Sequence, residues 1–368
     1  MAAPTVALIG GTGPTGPLLA AGLEARGHEV TVVHTGAHEI DEVAHREHVH
    51  LDVRSLEALT ELFASRGFDL CLATYGRLRA IAEATAGRVG RFVSIGGVPA
   101  YRGFFDAGRF DPPGMPVPTA EDAPTADTDD DGKSYRIRRT EEVVYAHHPD
   151  ATHFRYPYLY GPRQPVPREW CIVRRVLDGR RHLVVPDGGL ALQSFASTAN
   201  AAHAVLLAVD RPDAAQGEIF NVADLECLTL AQVVDLVAGA LGAELEQVSI
   251  PAALAWPARP LMMQQASTHR VVDLGKLVHR LGYTDVVPAR QGVTDVARWL
   301  AEHPPEPGGV EERVLEDPFD YAAEDELISH WRAATATVVE PTWENAAPGY
   351  GLHYAGPGAT YQRPDTRI

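Results

Sequence analysis

Cysteine is scarce in this sequence, which contains only Cys71, Cys171 and Cys227. Their odd number and wide spacing exclude a disulfide framework and favour a reducing compartment, so we expect a cytoplasmic protein. No run of about 20 apolar residues occurs. Because the chain also opens without a signal-peptide pattern, we expect neither a membrane span nor secretion.

Basic side chains are also in short supply, because 32 lysines and arginines stand against 49 aspartates and glutamates, giving a formal net charge of −17. Such a field repels polyanions, so we expect neither nucleic acid nor an anionic membrane as a general partner. A basic cluster is predicted to be a solvated face rather than a site, and it consists of Arg174, Arg175, Arg180 and Arg181. The expected partner is a small molecule.

The chain does contain a regular alternation of short apolar strands and helical segments. Strands are predicted at 6–9, 29–34, 48–51, 69–73, 91–95 and 152–156. Helices are predicted at 17–26 and 77–86, with a further helix that Ser55 caps. This alternation predicts an α/β fold, a Rossmann-type doubly wound parallel sheet with helices on both faces.

The pattern loosens later in the chain, which predicts three parts. Residues 1–165 are expected to form the dinucleotide-binding domain, with a late return near 199–223, and residues 166–310 a smaller substrate lobe. Helices at 200–209 and 229–241 and strands at 182–185 and 218–222 are predicted in this stretch. Residues 311–368 form an extension rich in Gly, Pro and Tyr from about residue 341, either a disordered tail or an arm laid over a neighbouring subunit.

The turn after the first strand is Gly10-Gly11-Thr12-Gly13-Pro14-Thr15-Gly16. In a Gly-x-x-Gly-x-x-Gly turn the first glycine permits the bend, the second admits a phosphate, and the third lets helix and strand pack closely. Unpaired N–H groups and the helix dipole stabilise a pyrophosphate there. We therefore predict that NAD(H) or NADP(H) binds here, through Gly10, Thr12, Gly13, Pro14, Thr15 and Gly16.

The end of the second strand is expected to distinguish the two cofactors, because NAD binders place an acidic residue there and NADP binders a basic one. His34, Thr35 and Gly36 stand at this point. The missing negative charge leans towards NADP(H), although either cofactor remains open, with His34 and Thr35 as predicted contacts. Asp52, after the third strand, is predicted either to accept from the adenine amino group or to begin a helix.

Four motifs together resemble the extended short-chain dehydrogenase/reductase family, the NAD-dependent epimerases and dehydratases. They are the glycine turn, Asp52-Val53, Ser134-Tyr135-x-x-x-Arg139 and the run Tyr156-Pro157-Tyr158-Leu159-Tyr160-Gly161-Pro162-Arg163-Gln164. The resemblance covers roughly residues 5–300 and implies an enzyme that is often a homodimer. It implies that Tyr135 is the acid or base, with Arg139 where the family has a lysine. Further cofactor contacts are implied for Val53, Thr74, Tyr156 and Tyr158.

Three positions depart from the pattern of that family. Gly97 stands where the family has a serine or threonine that polarises the substrate oxygen, and Ser94 is predicted to point elsewhere. Arg139 stabilises a phenolate but cannot lose its proton to relay it. Gln193 replaces an arginine that holds the diphosphate of nucleotide sugars, so we expect a different substrate.

Two functions therefore stay open. The first is an enzyme that reduces, oxidises, epimerises or dehydrates a small, partly apolar hydroxy or keto compound. Its cleft would be lined by Trp170, Tyr158, Tyr160 and Met262-Met263, unless these side chains belong to the core. The second is a redox-inactive protein that binds the cofactor as a sensor or scaffold.

No metal site is expected. The acidic run Asp127–Gly132 imitates the opening of a calcium loop, but Arg138 stands where a bidentate glutamate belongs. His45, His48 and His50 form the densest histidine group, without the ligand spacing of a firm helix, so we expect surface or capping histidines. His147 and His148 are interpreted in the same way.

Overall fold

The computed structural model describes residues 2–74, 76–262, 266–339 and 341–342. The strands are β1 Thr5–Ile9, β2 Glu29–His34, β3 Glu47–His50, β4 Phe68–Ala73, β5 Val89–Gly97, β6 Thr152–Tyr156, β7 Tyr158–Tyr160, β8 His182–Pro186, β9 Phe195–Ser197, β10 Ile219–Asn221 and β11 Glu246–Ile250. The helices are α1 Gly16–Glu24, α2 Leu56–Ser65, α3 Leu78–Thr85, α4 Gly132–His147, α5 Trp170–Leu177, α6 Thr198–Asp210, α7 Pro212–Ala215, α8 Leu230–Ala240, α9 Arg259–Met262, α10 Gly275–Leu281, α11 Ala289–Glu302, α12 Val310–Arg313 and α13 Tyr321–Thr335.

The chain divides into two compact units, Met1–Asp320 and Tyr321–Ile368. The described part of the second unit contains α13 and little else, and most of the Gly/Pro/Tyr-rich segment predicted from about residue 341 lies outside the described residues. None of the helices that the structure describes is long and apolar enough to cross a membrane. All features discussed below belong to the first unit.

Seven parallel strands form the central sheet, in the order β10-β6-β5-β4-β1-β2-β3. The predicted Rossmann-type fold is confirmed. The chain winds outwards in one direction from β1 to β3 and in the other from β4 onwards. Ligands of such sheets bind outside the carboxyl ends of the strands, at the point where this order reverses. Here that point lies between the neighbouring strands β1 and β4.

The centre of the sheet is buried on both faces, and β1 is apolar throughout residues 6–9. Val6 and Leu8 of β1 pack into one core with α1 and α6. Ala7 and Ile9 point to the opposite face and pack with α2, α3 and α4. Alternate residues of a strand face opposite sides, so a continuous apolar run is what a sheet covered by helices on both faces requires.

A second core lies beside the sheet and is built from α5, α8, α11 and the parallel pair β8 and β11. Thr229 begins α8 with a capping box, in which the side chains of Thr229 and Gln232 each satisfy the other's backbone N–H. The first unit includes both this lobe and the sheet, so the boundary near residue 166 stays a prediction. The predicted helices and strands of this stretch are confirmed to within about two residues.

One interpretation from the sequence is wrong in this lobe. Arg175 of the basic cluster is buried rather than solvated, and its Nη1 donates to Asp317 Oδ2 at 2.7 Å. Its neighbour Arg174 donates to Glu312 at 2.7 Å. Arg175 lies on the buried side of α5, where the Asp317 carboxylate neutralises its charge. Asp317 lies far from Arg175 in the sequence.

A buried ion pair joins α4 to the sheet. Arg155 of β6 donates to both carboxylate oxygens of Glu141, at 2.9 and 2.7 Å, and both side chains are almost fully buried. Arg155 also donates to the backbone oxygen of Glu121 at 3.0 Å and lies over the Tyr101 ring. Burial acts to raise the pKa of Glu141, but the hydrogen bonds and charges of Arg155 and His153 outweigh it and lower the pKa to about 2.

Candidate functional site

The glycine turn lies at the reversal point of the sheet. Gly10 follows β1 with φ of +80°, and a Cβ there would lie 2.2 Å from Oγ1 of Thr74, the residue that follows β4. The Thr74 hydroxyl donates to the backbone oxygen of Ile9 at 2.9 Å. The predicted contacts Gly10 and Thr74 therefore touch each other at the carboxyl ends of β1 and β4, where a ligand of this fold binds.

The other two glycines set the space above the turn. A Cβ on Gly16 would lie 2.0 Å from the backbone oxygen of Gly11, so helix α1 packs directly on the turn. A Cβ on Gly13 would meet only the backbone oxygen of Gly10, at 3.3 Å, and otherwise open space. No side chain among the described residues caps α1, whose N-cap is Thr15. The turn, with Thr12 and Pro14 partly exposed, fits a bound phosphate.

One of the two residues predicted to contact the cofactor at the end of β2 is not accessible to it. His34 is buried, burial lowers the pKa of its imidazole, and its Nε2 lies 2.8 Å from Nδ1 of His48. Thr35 is exposed beside it. His34 is therefore engaged with another histidine, and the exposed groups at this point are those of Thr35 and the residues that follow.

Asp52 follows β3 and is already partnered. Its Oδ1 accepts from the backbone and side-chain nitrogens of Arg54, each at 2.9 Å, and the Arg54 hydrogen bonds lower the pKa of Asp52. Val53 packs at the edge of the core under α2. The predicted cap of α2 is confirmed, because Ser55 Oγ accepts from the N–H of Ala58 at 3.2 Å. The adenine contact of Asp52 stays a prediction.

No hydroxyl stands at the end of β5, where Gly96 and Gly97 close the strand. Ser94 points away from the cleft, as predicted, because its Oγ lies 2.7 Å from Nδ1 of His153 within the core. A Cβ on Gly96 would lie 2.5 Å from Nε2 of the same histidine. The glycine at 96 is therefore required by His153.

The two predicted catalytic residues lie one turn apart on α4. Asp131 caps this helix by accepting from the N–H groups of Lys133 and Ser134 at 2.8 and 3.2 Å. Tyr135 is half-buried in the first turn, and the Arg139 guanidinium carbon lies 5.8 Å from the centre of its ring. The helix packs against the 3-10 turn that follows β5, so it lies at the carboxyl edge of the sheet.

A large cleft opens on the second lobe, lined by residues of β7, β9, α5, α8 and α11, with about 910 Å³ of space that includes solvent at its mouth. Tyr160 and Met262 line it as predicted, together with Phe195, Leu228, Leu261 and Val293. Trp170 is instead a core residue whose Nε1 donates to Glu312 at 2.9 Å. Met263 lies outside the described residues. Neither Tyr135 nor Arg139 is among the described residues that line the cleft.

Two buried arginines at this cleft were not found from the sequence. Arg168 lines the cleft, and its guanidinium stacks 3.8 Å from the centre of the Tyr158 ring and 5.1 Å from that of Phe195. Arg270 lies over Phe104 at 4.8 Å and donates to the side-chain oxygen of Gln193. Burial lowers the pKa of each guanidinium to about 10, and each remains a cation near pH 7.

Several donors of this arginine cluster find no hydrogen-bond partner within the described part of the chain. They are Nη1 of Arg168, Nε and Nη1 of Arg270, Nε2 of Gln193 and the hydroxyl of Tyr158. A buried unpaired donor costs about 1–3 kcal/mol, and more when charged. Tyr156 and Tyr158, the two predicted cofactor contacts at β6 and β7, therefore have different surroundings. Tyr158 belongs to the arginine cluster, whereas Tyr156 is buried and donates to the backbone of Ala201 at 2.9 Å.

Beneath the cleft, a hydrogen-bonded joint links the sheet to the second lobe. Asp224 accepts from the hydroxyl of Tyr160 at 2.6 Å, from the N–H of Ser197 at 3.0 Å and from the amide of Asn200 at 2.7 Å. The Asn200 side-chain oxygen accepts from the N–H groups of Val286 and Val287. Burial raises the pKa of Asp224 to about 6.

Comparison with solved structures finds proteins of the same fold. The UDP-glucose 4-epimerase of Thermotoga maritima, solved with UDP-glucose, is 16% identical over 81% of this chain and 99% of its own, with a TM-score of 0.64. The UDP-glucuronic acid 4-epimerase of Bacillus cereus, solved with NAD, is 14% identical over 81% and 99%, with a TM-score of 0.62. The dTDP-glucose 4,6-dehydratase of Bacillus anthracis, also solved with NAD, is 14% identical over 82% and 97%, with a TM-score of 0.63.

These likenesses extend the resemblance stated from the motifs to the whole fold. No protein-family model matches the sequence, and no match is found among curated proteins. The identities of 14% to 16% show a common fold and leave the reaction to be argued from this chain's own residues.

Proposed function

We propose that this chain is a nicotinamide-dependent enzyme of the extended short-chain dehydrogenase/reductase type, acting on a small hydroxy or keto compound that carries an acidic group. The observation that carries the proposal is the glycine turn at the reversal point of the sheet. Gly10 and Gly16 have no room for a Cβ, whereas Gly13 faces open space at the uncapped start of α1. This combination fits a pyrophosphate at the start of a helix.

NAD(H) is the cofactor that we propose to test first. Solved structures of this fold contain NAD, which gives no support to the lean towards NADP(H). The end of β2 offers no arginine or lysine for a 2′-phosphate, since His34, Thr35 and Gly36 stand there. When bound, the cofactor supplies or accepts a hydride.

Tyr135 is proposed to hold and move the proton of the substrate hydroxyl or carbonyl. The Arg139 cation, within 6 Å of the Tyr135 ring, stabilises the phenolate that forms when the proton leaves. Because the guanidinium stays protonated, Tyr135 must exchange its proton with water or substrate rather than through Arg139. Gly97 supplies no hydroxyl, so Tyr135 is the side-chain donor that we propose for the substrate oxygen.

The acidic group of the substrate is inferred from the arginine cluster. Arg168 is a buried cation whose Nη1 has no partner within the described residues, and it stacks on the ring of Tyr158. Glu169, Asp224 and Glu226 also line the cleft, and burial raises the pKa of Glu169. A carboxylate or phosphate bound at Arg168 would satisfy the free donors, while the apolar wall opposite accepts the rest of the molecule.

Replacing Tyr135 with phenylalanine is expected to lower the rate of hydride exchange by about 100-fold or more, the usual size of an acid/base contribution. The absorbance of the reduced nicotinamide measures it over a panel of hydroxy and keto acids. Arg139→Lys serves as the matched control, since it keeps the cation one turn away and is expected to retain activity.

Full turnover by the Tyr135→Phe variant would exclude this mechanism. A wild-type protein that binds NAD(H) but exchanges no hydride with any member of the panel would instead favour the sensor or scaffold function. Gly97 and the missing lysine at position 139 are the observations behind that second function.

Replacing Arg168 with methionine is expected to remove the preference of the cleft for acids. A charge-assisted hydrogen bond contributes about 1.5–3 kcal/mol, so the wild type should bind an acid about 10- to 150-fold more tightly than its methyl ester. The variant should bind both equally. In the absence of ligand it should be as stable as the wild type or more stable, because a buried unpaired cation has been removed.

Arg298→Met is the control for this experiment, because Arg298 is an exposed partner of Asp295 on α11. Calorimetric titration with acid and ester pairs gives the affinities, and thermal unfolding gives the stability. An ester that binds as tightly as its acid to the wild type would show that Arg168 does not select an anion.

A further inference from the structure

Four potential metal ligands meet at the end of β2 and β3, on the side of the sheet away from the arginine cluster. They are His34, Glu39, His48 and His50, and one ligand atom of each lies within 4.8 Å of all the others. His34 Nε2 and His48 Nδ1 lie 2.8 Å apart, and His50 Nε2 lies 2.9 Å from Glu39 Oε1. The Glu39 carboxylate is 3.5 Å from each of the other two imidazoles.

The three imidazole rings are arranged around one common point. Their mutual interplanar angles are 73°, 90° and 84°, with centroids 4.9 to 6.0 Å apart. Tetrahedral zinc has bonds of about 2.0–2.2 Å to nitrogen and oxygen, which places ligand atoms about 3.3–3.6 Å apart. The observed separations bracket this value, so small shifts of side chains would complete the geometry.

A backbone carbonyl fixes the orientation of one ligand. His48 Nε2 lies 2.8 Å from the oxygen of Val43, to which it donates. A neutral imidazole that donates from Nε2 carries its lone pair on Nδ1, which lies 2.8 Å from His34 Nε2 and 3.5 Å from Glu39 Oε2. Metal-binding histidines almost always have such an outer partner.

The described segment that connects β2 to β3 around the cluster contains no helix. A crossover between parallel strands usually contains a helix, yet residues 35–46, all of them described, contain only turns. Gly36 has φ of +74°, and a Cβ there would lie 3.2 Å from the His50 ring. The segment thus wraps closely around the four side chains.

We propose that His34, Glu39, His48 and His50 bind a zinc ion that holds the crossover between β2 and β3. Three imidazoles and one carboxylate form a set that zinc prefers, and four protein ligands leave no open position, which is typical of a structural site. His38 and His45 lie on the same segment outside the set. The expectation of no metal site was based on spacing, and spacing gave no sign that His34 and Glu39 would join the histidines of β3.

The experiment uses the full chain, stripped of metal with a chelator and titrated with Zn²⁺. We expect one zinc ion per chain by elemental analysis, a rise in the unfolding temperature, and slower amide hydrogen exchange in residues 35–46. Cobalt should give the intense visible d–d absorption of a tetrahedral site. His50→Gln and Glu39→Gln, both at exposed positions, should weaken zinc binding by more than the 10- to 100-fold that loss of an outer partner costs.

His45→Gln is the matched control, an exposed histidine of the same segment outside the cluster, and it should bind zinc as the wild type does. Circular dichroism of the three variants without metal establishes that they fold. The proposal would be overturned by zinc below half an ion per chain, by the weak spectrum of octahedral cobalt, or by equal zinc affinity in all variants. None of these results depends on cofactor binding or turnover.

Discussion

Replacing Glu141 with alanine is expected to lower the free energy of unfolding by about 3–5 kcal/mol, the usual cost of removing one partner of a buried ion pair. The loss is large because Arg155 remains buried without its carboxylate, next to Tyr101 and far from water. Urea unfolding of the wild type and the variant measures the difference.

Glu142→Ala is the control for this variant. Glu142 is the next residue of α4 and is exposed, and its ion pair with Arg138 lies on the helix surface. Its replacement should change stability by less than about 1 kcal/mol. The double variant Glu141→Ala/Arg155→Met should recover much of the loss, because it removes the stranded cation as well. A Glu141→Ala protein that unfolds at the wild-type urea concentration would show that the pair contributes nothing.

The same pair predicts an acid sensitivity. The pKa of Glu141 is about 2 in the folded protein against 4.5 for the free side chain. A depressed folded-state pKa gives stability that is fully present above pH 4.5 and is lost as the pH falls towards 2, by about 3 kcal/mol in all. The wild type should therefore lose stability more steeply than Glu141→Ala over this range, and parallel curves would contradict the assignment.

Replacing Gly13 with alanine is expected to weaken cofactor binding by about 10- to 100-fold while leaving the fold intact. The added Cβ touches only the backbone oxygen of Gly10, at 3.3 Å, so the turn tolerates it, yet it occupies the space in which we place the phosphates. The loss corresponds to about one charge-assisted hydrogen bond. Calorimetric titration with NAD(H) measures the change in affinity.

Alanine substitutions at two further glycines serve as controls for the Gly13→Ala variant. Gly16→Ala should lose both stability and binding, because its Cβ would lie 2.0 Å from backbone atoms of the turn. Gly239→Ala, in the last turn of α8 with open space around it, should bind the cofactor normally and be about as stable as the wild type. If Gly13→Ala binds NAD(H) as tightly as Gly239→Ala does, the turn does not hold the phosphates.

Local signals were enough to predict the sheet and the turn. The central strands β1 and β4 carry apolar runs that are buried on both faces, and the glycine turn is a contiguous motif, so neither depends on distant residues. Even the orientation of Ser94 followed from its position in β5. These features were accessible because strand burial and turn geometry are decided within a few residues of the sequence.

The side-chain chemistry was less accessible because its members come from separate elements. Arg168 stacks on Tyr158 and Arg270 on Phe104, and Arg175 pairs with Asp317, which lies 142 residues away in the sequence. Each arginine appears in the sequence as one more surface cation. Burial and pairing are properties of the assembled fold, and one sequence without its fold does not reveal them.

The joint formed by Asn200 and Asp224 has a mechanical consequence. A cleft opens by rotation only if the backbone at its hinge is free to change its dihedral angles. Here the Asp224 carboxylate accepts from the N–H of Ser197 and from the Asn200 amide. The Asn200 side-chain oxygen in turn accepts from the N–H groups of Val286 and Val287. These hydrogen bonds oppose any motion that would widen or narrow the cleft. A substrate of the proposed enzyme would therefore enter a cleft whose walls are already joined.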